Sequence, residues 1–250
     1  MDSSYQQILP ITSISDFIEK FWVFKNNGEE DRAITILPDG CFELFFTFSE
    51  LEPLNVFLLK PQSEPSAKIS KAQSVIYSIS FKLLALEYIF KMRNQDFKEG
   101  KLKLSENFWD INKSDLTSFE NFVDKATSKI KELTKENIDV RKRNLFQLVY
   151  ASEGSMTVKE LSGKVFWSSR LINLYFNYQF GFSLKSFCNL LRFQASFSHV
   201  KEGKLYPEKD YTDQNHFIKE VKRFSGVVPK ELFKNAEDRF IHFTALTKKK

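Results

Sequence analysis

The sequence predicts a multi-domain chain, an α+β strand-rich first part followed by an all-α second part. Three observations carry that prediction. Apolar residues recur with period two through much of the first ~85 positions, which is strand spacing, and with helical spacing from Val140 onward. A polar stretch from Thr134 to Asp139, with Ile138 its one long apolar residue, separates the two regimes. Charge divides at nearly the same place: residues 145–250 carry 17 Lys and Arg against 10 Asp and Glu, whereas residues 1–144 carry 20 against 22. The overall +5 is therefore a basic second part attached to a slightly acidic first part.

In chain order, Ile14 to Phe24 has helical spacing at Ile14, Phe17, Ile18 and Phe21 and then turns strand-like, so a short helix passing into a strand is expected. Ala33 to Ser49 contains two apolar runs flanking Pro38-Asp39-Gly40, a turn tripeptide in which proline presets φ and glycine accepts a positive one. In the second run Phe42, Leu44, Phe46 and Phe48 share one strand face, leaving Glu43 and Thr47 on an exposed one. Leu54 to Lys60 is a further apolar run, and Ser74 to Lys82 alternates again. Between them, Pro61 to Gln73 reads as a loop or long hairpin tip. A short helix follows Lys82, and Ser114 to Leu133 places Leu116, Phe119, Phe122, Val123, Ala126 and Ile130 on one helical stripe.

The second part reads as consecutive capped helices. Thr157 and Glu160 form a capping box. Ser168 starts a helix that stops at Gly181, Ser183 starts a longer one through about Val200, and Thr212 starts one ending at Gly226. The helices ending at Gly181 and Gly226 look alike. Ile172, Phe176 and Phe180 form the inner face of one, and Phe217, Val221 and Phe224 that of the other. Their outer faces carry Ser169, Arg170, Asn173 and Asn177 in the first, and Gln214, Asn215, Lys219, Lys222 and Arg223 in the second. Asn and Gln pair bidentately with adenine in a major groove, Arg pairs with guanine, and Lys holds phosphate oxygens.

Several function classes are excluded or disfavoured. His199, His216 and His242 are the only histidines, so the first 198 residues can hold neither a His-ligated metal nor a His-based triad. Cys41 and Cys188 have no metal-type spacing and suit a reducing cytoplasm. Asp39 is explained by its turn and Glu43 by its strand face, which argues against paired-carboxylate catalysis. No apolar run reaches the ~20 residues of a membrane helix, and the opening Met1-Asp2-Ser3-Ser4-Tyr5 lacks the basic and apolar parts of a signal peptide. The expectation is a protein that binds rather than catalyses, with no cofactor and no metal.

The stretch TVKELSGKVFWSSRLINLYFNYQFGFSLKSFCNLLRF, residues 157–193, resembles the first helix-turn-helix and linker helix of AraC/XylS-type transcription regulators. DYTDQNHFIKEVKRFSGVVPKEL, residues 210–232, resembles that family's second recognition helix and its trailing segment. The resemblance spans roughly residues 140–240, and the FWVF and ILPDGCFELFF pattern is similar to the strand-rich sensor-like domain of some members. It implies two helix-turn-helix units joined by a linker helix over about 183–201, with recognition helices in successive major grooves. It also implies Arg170 and Asn173 in base-reading positions of the first unit, and Asn215 and Lys219 in those of the second. Residues 1–112 would be an effector-binding or dimerisation domain, 113–137 a helical connector, 138–243 the DNA-binding domain and 244–250 a disordered basic tail. The implied partners are double-stranded DNA, a small-molecule effector, a second copy of the chain and RNA polymerase, in the bacterial cytoplasm at the nucleoid.

Three departures from the family pattern stand out. Leu174 occupies a position where many members carry Arg, Leu171 is apolar on a face expected to be polar, and Lys204 to Tyr211 is short for a supporting helix. The two leucines motivate an alternative, a protein-interaction regulator with weakened DNA binding.

Overall fold

The computed structural model describes residues 3–134, 137–206, 211, 213–235 and 240. They divide into two compact units. The first comprises residues 1–32, 41–61 and 69–139, and the second residues 33–40, 62–68 and 140–250. The second unit is thus discontinuous in sequence and takes two short pieces from the strand-rich part of the chain.

The first unit is built on a six-stranded antiparallel sheet. Its strands are β1 (Ser3–Ile8), β2 (Ile18–Asn26), β4 (Phe42–Ser49), β5 (Asn55–Leu59), β7 (Ser74–Phe81) and β8 (Lys101–Leu104), in the order β1-β2-β7-β4-β5-β8. The two remaining strands, β3 (Arg32–Ile36) and β6 (Ser66–Ser70), pair with each other. Register follows the apolar alternation. Phe21 lies opposite Ile79, Ile79 opposite Leu44, and Leu44 opposite Leu58, so one buried row crosses four strands. Two helices accompany the sheet, the short α1 (Leu84–Tyr88) after β7 and, after β8 and a 3-10 turn at Lys113–Thr117, the fifteen-residue α2 (Phe119–Leu133). The amphipathic run expected from Ser114 is split at Ser118, whose side chain accepts from the Asn121 N–H and starts α2. α2 packs on the sheet, with Phe122 edge-on to Phe46 at 5.5 Å and 5.2 Å from Tyr77. The Tyr77 hydroxyl donates to the Leu116 carbonyl at 2.8 Å.

The opposite face of the sheet corrects one expectation. Glu43 is buried, not exposed. Its carboxylate accepts from the Trp22 indole N–H at 3.3 Å, from the Ser80 hydroxyl at 2.6 Å and from the Ser78 hydroxyl. The physical reason is that this face is covered as well. Tyr5 stacks on Trp22 at 5.8 Å, Phe45 meets Trp22 edge-on at 5.6 Å, and both serines are fully buried. Period two predicts which residues share a face but not whether that face meets water. A second correction concerns Pro61 to Gln73, where β6 lies within the expected loop. Its sequence Ser-Ala-Lys-Ile-Ser is too polar to announce a strand, and it forms by pairing with β3.

The second unit contains α3 (Val140–Ala151), α4 (Val158–Val165), α5 (Ser169–Phe180), α6 (Leu184–Ala195), α7 (Phe197–Lys201), α8 (Gln214–Ser225) and α9 (Pro229–Lys234). Aromatic residues hold the first cluster: Phe146 of α3 lies 5.5 Å from Phe176 and 5.9 Å from Phe180 of α5, and Phe187 of α6 lies 6.2 Å from Phe176. A second cluster gathers Leu190 and Phe193 of α6, Phe197 and Val200 of α7, Phe217, Val221 and Phe224 of α8, Leu232 of α9, and Phe240. α6 therefore serves both clusters. The single helix expected over 183–201 is interrupted at Ser196, whose hydroxyl donates to the Phe193 carbonyl at 2.6 Å where α6 ends and α7 begins.

The segment 33–40 completes the second cluster. Leu37 is 1% exposed within it, and Thr35 forms a parallel bridge with Phe240. The turn glycine Gly40 has φ +73, and a Cβ there would sit 2.7 Å from the Phe187 ring. Gly154, which ends the turn after α3, is tighter still: a Cβ would lie 2.2 Å from the Cys188 carbonyl oxygen. Only glycine permits these approaches.

Two expected outcomes follow from this packing. Leu37→Ala lowers the unfolding free energy by about 2–5 kcal/mol, as for other buried leucines, measured by denaturant titration of the full chain. An effect under about 0.5 kcal/mol, typical of surface sites, would show that Leu37 is not core. Burial also disfavours the Cys188 thiolate and pushes its pKa up to about 11, so at pH 8 roughly one side chain in a thousand is ionised. Cys41 is buried as well. Ellman's reagent should react slowly with the native protein and rapidly with both thiols after denaturation.

Candidate nucleic-acid interface

α5 and α8 are built alike from their caps inward. Each has twelve residues. The Ser168 hydroxyl accepts from the Leu171 N–H at 3.3 Å, and the Asp213 carboxylate from the His216 N–H at 2.8 Å. The helices stop at Gly181 with φ +80 and at Gly226 with φ +78. The cap of α8 is Asp213 rather than the expected Thr212, which lies outside the described residues.

Both helices bury the expected stripe. Ile172, Phe176 and Phe180 are buried in α5, and Phe217, Val221 and Phe224 in α8. The expected outer-face residues fall as follows. In α5, Arg170 and Asn177 are exposed, whereas Ser169 and Asn173 are half-buried. The Asn177 amide donates to the Asn173 carbonyl at 2.9 Å, which ties it to its own helix. In α8, Gln214, Asn215, Lys219, Lys222 and Arg223 are all exposed. Arg223 pairs with Glu220 at 3.4 Å, with the arginine half-exposed, a surface ion pair of small energetic weight.

Cap-to-cap equivalence compares the two faces position by position. Ser168 corresponds to Asp213 and Gly181 to Gly226, so each α5 residue matches the α8 residue 45 positions later. Arg170 then matches Asn215, and Asn177 matches Lys222. The match to Lys219 is Leu174, not Asn173; Asn173 corresponds to Ile218, and both are half-buried. Tyr178 matches Arg223. The outer face of α8 is thus polar and cationic, whereas that of α5 is divided between a polar edge (Arg170, Asn177) and an apolar edge (Leu171, Leu174, Tyr178), with Leu171 50% and Leu174 55% exposed.

α4 holds the turn before α5. The Thr157 N–H donates to the Glu160 carboxylate at 2.8 Å, and the Glu160 N–H donates to the Thr157 hydroxyl at 3.2 Å. The backbone donor first, then the Thr157 hydroxyl, holds the Glu160 carboxyl below its ordinary range. Phe166 ends α4 in a left-handed conformation. Sequence reasoning passed over two neighbours of this turn: Arg141 lies over the Trp167 ring at 5.7 Å, and Lys142 over the Tyr175 ring at 4.7 Å. The signal for them was the Arg141-Lys142-Arg143 run that opens α3.

These features define a two-unit protein in which a strand-rich sheet unit accompanies a helical unit carrying two similarly capped helices. Residues 6–103 match a family model described as a domain of unknown function (DUF6597). No curated protein matches. The fold is similar to solved structures of ToxT from Vibrio cholerae. One, at 1.65 Å resolution, has 14% identity and a TM-score of 0.46, covering 92% of this chain and 98% of that one. Another, from Vibrio cholerae O395, has 13% identity and a TM-score of 0.45, covering 98% and 99%. A third, described as unsaturated fatty acid bound wild-type ToxT from Vibrio cholerae strain SCE256, has 11% identity and a TM-score of 0.45, covering 85% and 93%. Among the described residues no helix is long and apolar enough to cross a membrane, and no group of three His, Cys, Asp or Glu side chains could hold a metal ion.

The α8 cap is open to a direct check. Asp213→Ala should cost about 1 kcal/mol of stability, as for other lost N-caps, read as a lowered midpoint in chemical denaturation. Asp213→Asn should restore most of it, because the amide oxygen accepts the same bond.

Proposed function

We propose that the chain is a sequence-specific DNA-binding transcription regulator of the AraC/XylS type that acts by binding, not catalysis. The observation that carries this reading is the exposed face of α8, where Asn215, Lys219, Lys222 and Arg223 project from a helix capped by Asp213 and seated on its own apolar cluster. The sequence likeness over residues 157–193 and 210–232 supports it. Residues 138–243 act as the DNA-binding part, with α5 and α8 entering successive major grooves. Lysines and helix N-terminal amides take phosphate contacts, and Arg170, Gln214 and Asn215 read base edges. The sheet unit binds a small-molecule effector or a second copy of the chain. RNA polymerase is a further contact, and the protein works in the bacterial cytoplasm.

A second reading, a protein-interaction regulator with weakened DNA binding, draws on the exposure of Leu171 and Leu174. Polar substitution of both abolishes partner capture under that reading, and under the DNA reading leaves salt-dependent duplex binding in place.

The test is duplex binding by the full chain at several salt concentrations. The association constant should fall linearly on a log–log plot. Lys219→Ala should weaken binding to all sequences and reduce that slope by about 1, whereas Asn215→Ala should cost about 1–3 kcal/mol on the preferred sequence and little on random DNA. Equal binding of random and upstream DNA at every salt concentration would exclude the regulator reading.

A further inference from the structure

We propose that α5 reads thymine methyl groups, so that the DNA half facing it is selected for thymine by apolar contact while the half facing α8 is selected by hydrogen bonding. The inference rests on the DNA-binding reading and specifies what one of its two helices recognises.

Three observations point to it. First, cap-to-cap equivalence puts Leu174 where α8 has Lys219 and Tyr178 where it has Arg223, so the two helices present different chemistry from the same positions. Second, Leu171 and Leu174 are 50% and 55% exposed on a helix whose opposite face is fully used in packing by Ile172, Phe176 and Phe180, so they are not core residues of this unit. Third, this apolar edge lies directly beside Arg170 and Asn177 on the same exposed face.

The chemistry of the major groove then selects the ligand. Adenine, guanine and cytosine edges present donors and acceptors, and the C5 methyl of thymine is the one apolar group displayed by the four standard bases. A leucine has neither donor nor acceptor. Set against a polar base edge it strips water from that edge and returns no hydrogen bond, which disfavours those bases. Set against a methyl it buries apolar surface. Arg170, adjacent on the face, reads the neighbouring base edge, so that the methyl contacts adjoin a hydrogen-bonded one. A protein partner fits less well: a stable protein interface takes roughly 20–30 residues a side, and here three apolar side chains stand beside a cation and an amide.

The experiment uses the full chain. Preferred duplexes are selected from a random library, then resynthesised with deoxyuridine replacing thymine in one half or the other, which removes only the methyl group. Affinity is read by fluorescence anisotropy for the wild type and for Leu171→Ala/Leu174→Ala. We expect deoxyuridine in one half to weaken wild-type binding by about fourfold per contacted methyl, with little change from the other half. The double variant should bind thymine and deoxyuridine duplexes equally while still discriminating in the half read by α8. Selective binding that is indifferent to deoxyuridine in both halves overturns the inference and leaves the regulator reading standing. A preference for thymine over deoxyuridine that survives in the double variant also overturns it. Failure to select any preferred duplex, with the leucines needed instead for capture of a protein, overturns both.

Discussion

The helical unit depends on close approach to α6. The α3–α4 turn reaches the α6 backbone at Cys188 through Gly154, the 33–40 segment reaches Phe187 through Gly40, and Leu37 joins Leu190 and Phe193 in the second cluster. Backbone held this near leaves no room for a side chain, so two glycines and one buried leucine fix the wall on which both capped helices rest. Phe187 on one part of α6 and Leu190 and Phe193 further along make that one helix common to both clusters. The orientation of α5 and α8 within the unit therefore follows from how each packs on a shared support, and not from the loops between them.

That arrangement separates the residues that position the two helices from those they expose. Inner stripes of α5 and α8 are apolar and buried, and caps at both ends are satisfied by short polar side chains and glycines. Outer faces are then free to diverge without cost to the fold. In α8 the face is cationic, and in α5 it is split between Arg170 and Asn177 on one edge and Leu171, Leu174 and Tyr178 on the other. Two helices of one design thus differ on the one surface that packing does not constrain.

Helix ends and inner faces were readable from sequence because their signals are local. Gly181 and Gly226, the Thr157–Glu160 box, and the stripes Ile172-Phe176-Phe180 and Phe217-Val221-Phe224 each lie within a dozen residues. What escaped was non-local. Glu43 reads as the polar side of a strand, and only a second aromatic layer from Tyr5, Trp22 and Phe45 makes it a buried acceptor for Trp22 and two serines. β6 is a strand because β3 is its partner, not because Ser-Ala-Lys-Ile-Ser favours one. Of the expected outer-face residues, Arg170, Asn177, Gln214, Asn215, Lys219 and Lys222 were legible as exposed. Ser169 and Asn173 are half-buried, because they lie four residues apart along the border of the buried Ile172-Phe176-Phe180 stripe, and cap-to-cap equivalence matches Lys219 to Leu174 rather than to Asn173.

The discontinuity of the helical unit has a consequence for how such a protein can be made and changed. Leu37 leaves the ribosome more than a hundred residues before α6, so the first unit must fold while carrying a hydrophobic piece that belongs elsewhere. The same topology resists domain shuffling. A recombination that joins another sheet unit to residues 140–250 replaces the 33–40 segment along with it, and the second helical cluster loses a wall it cannot supply from its own stretch of chain. Inheritance of the two units is thereby linked, and an exchange between relatives succeeds only where the donor's segment fills the same gap.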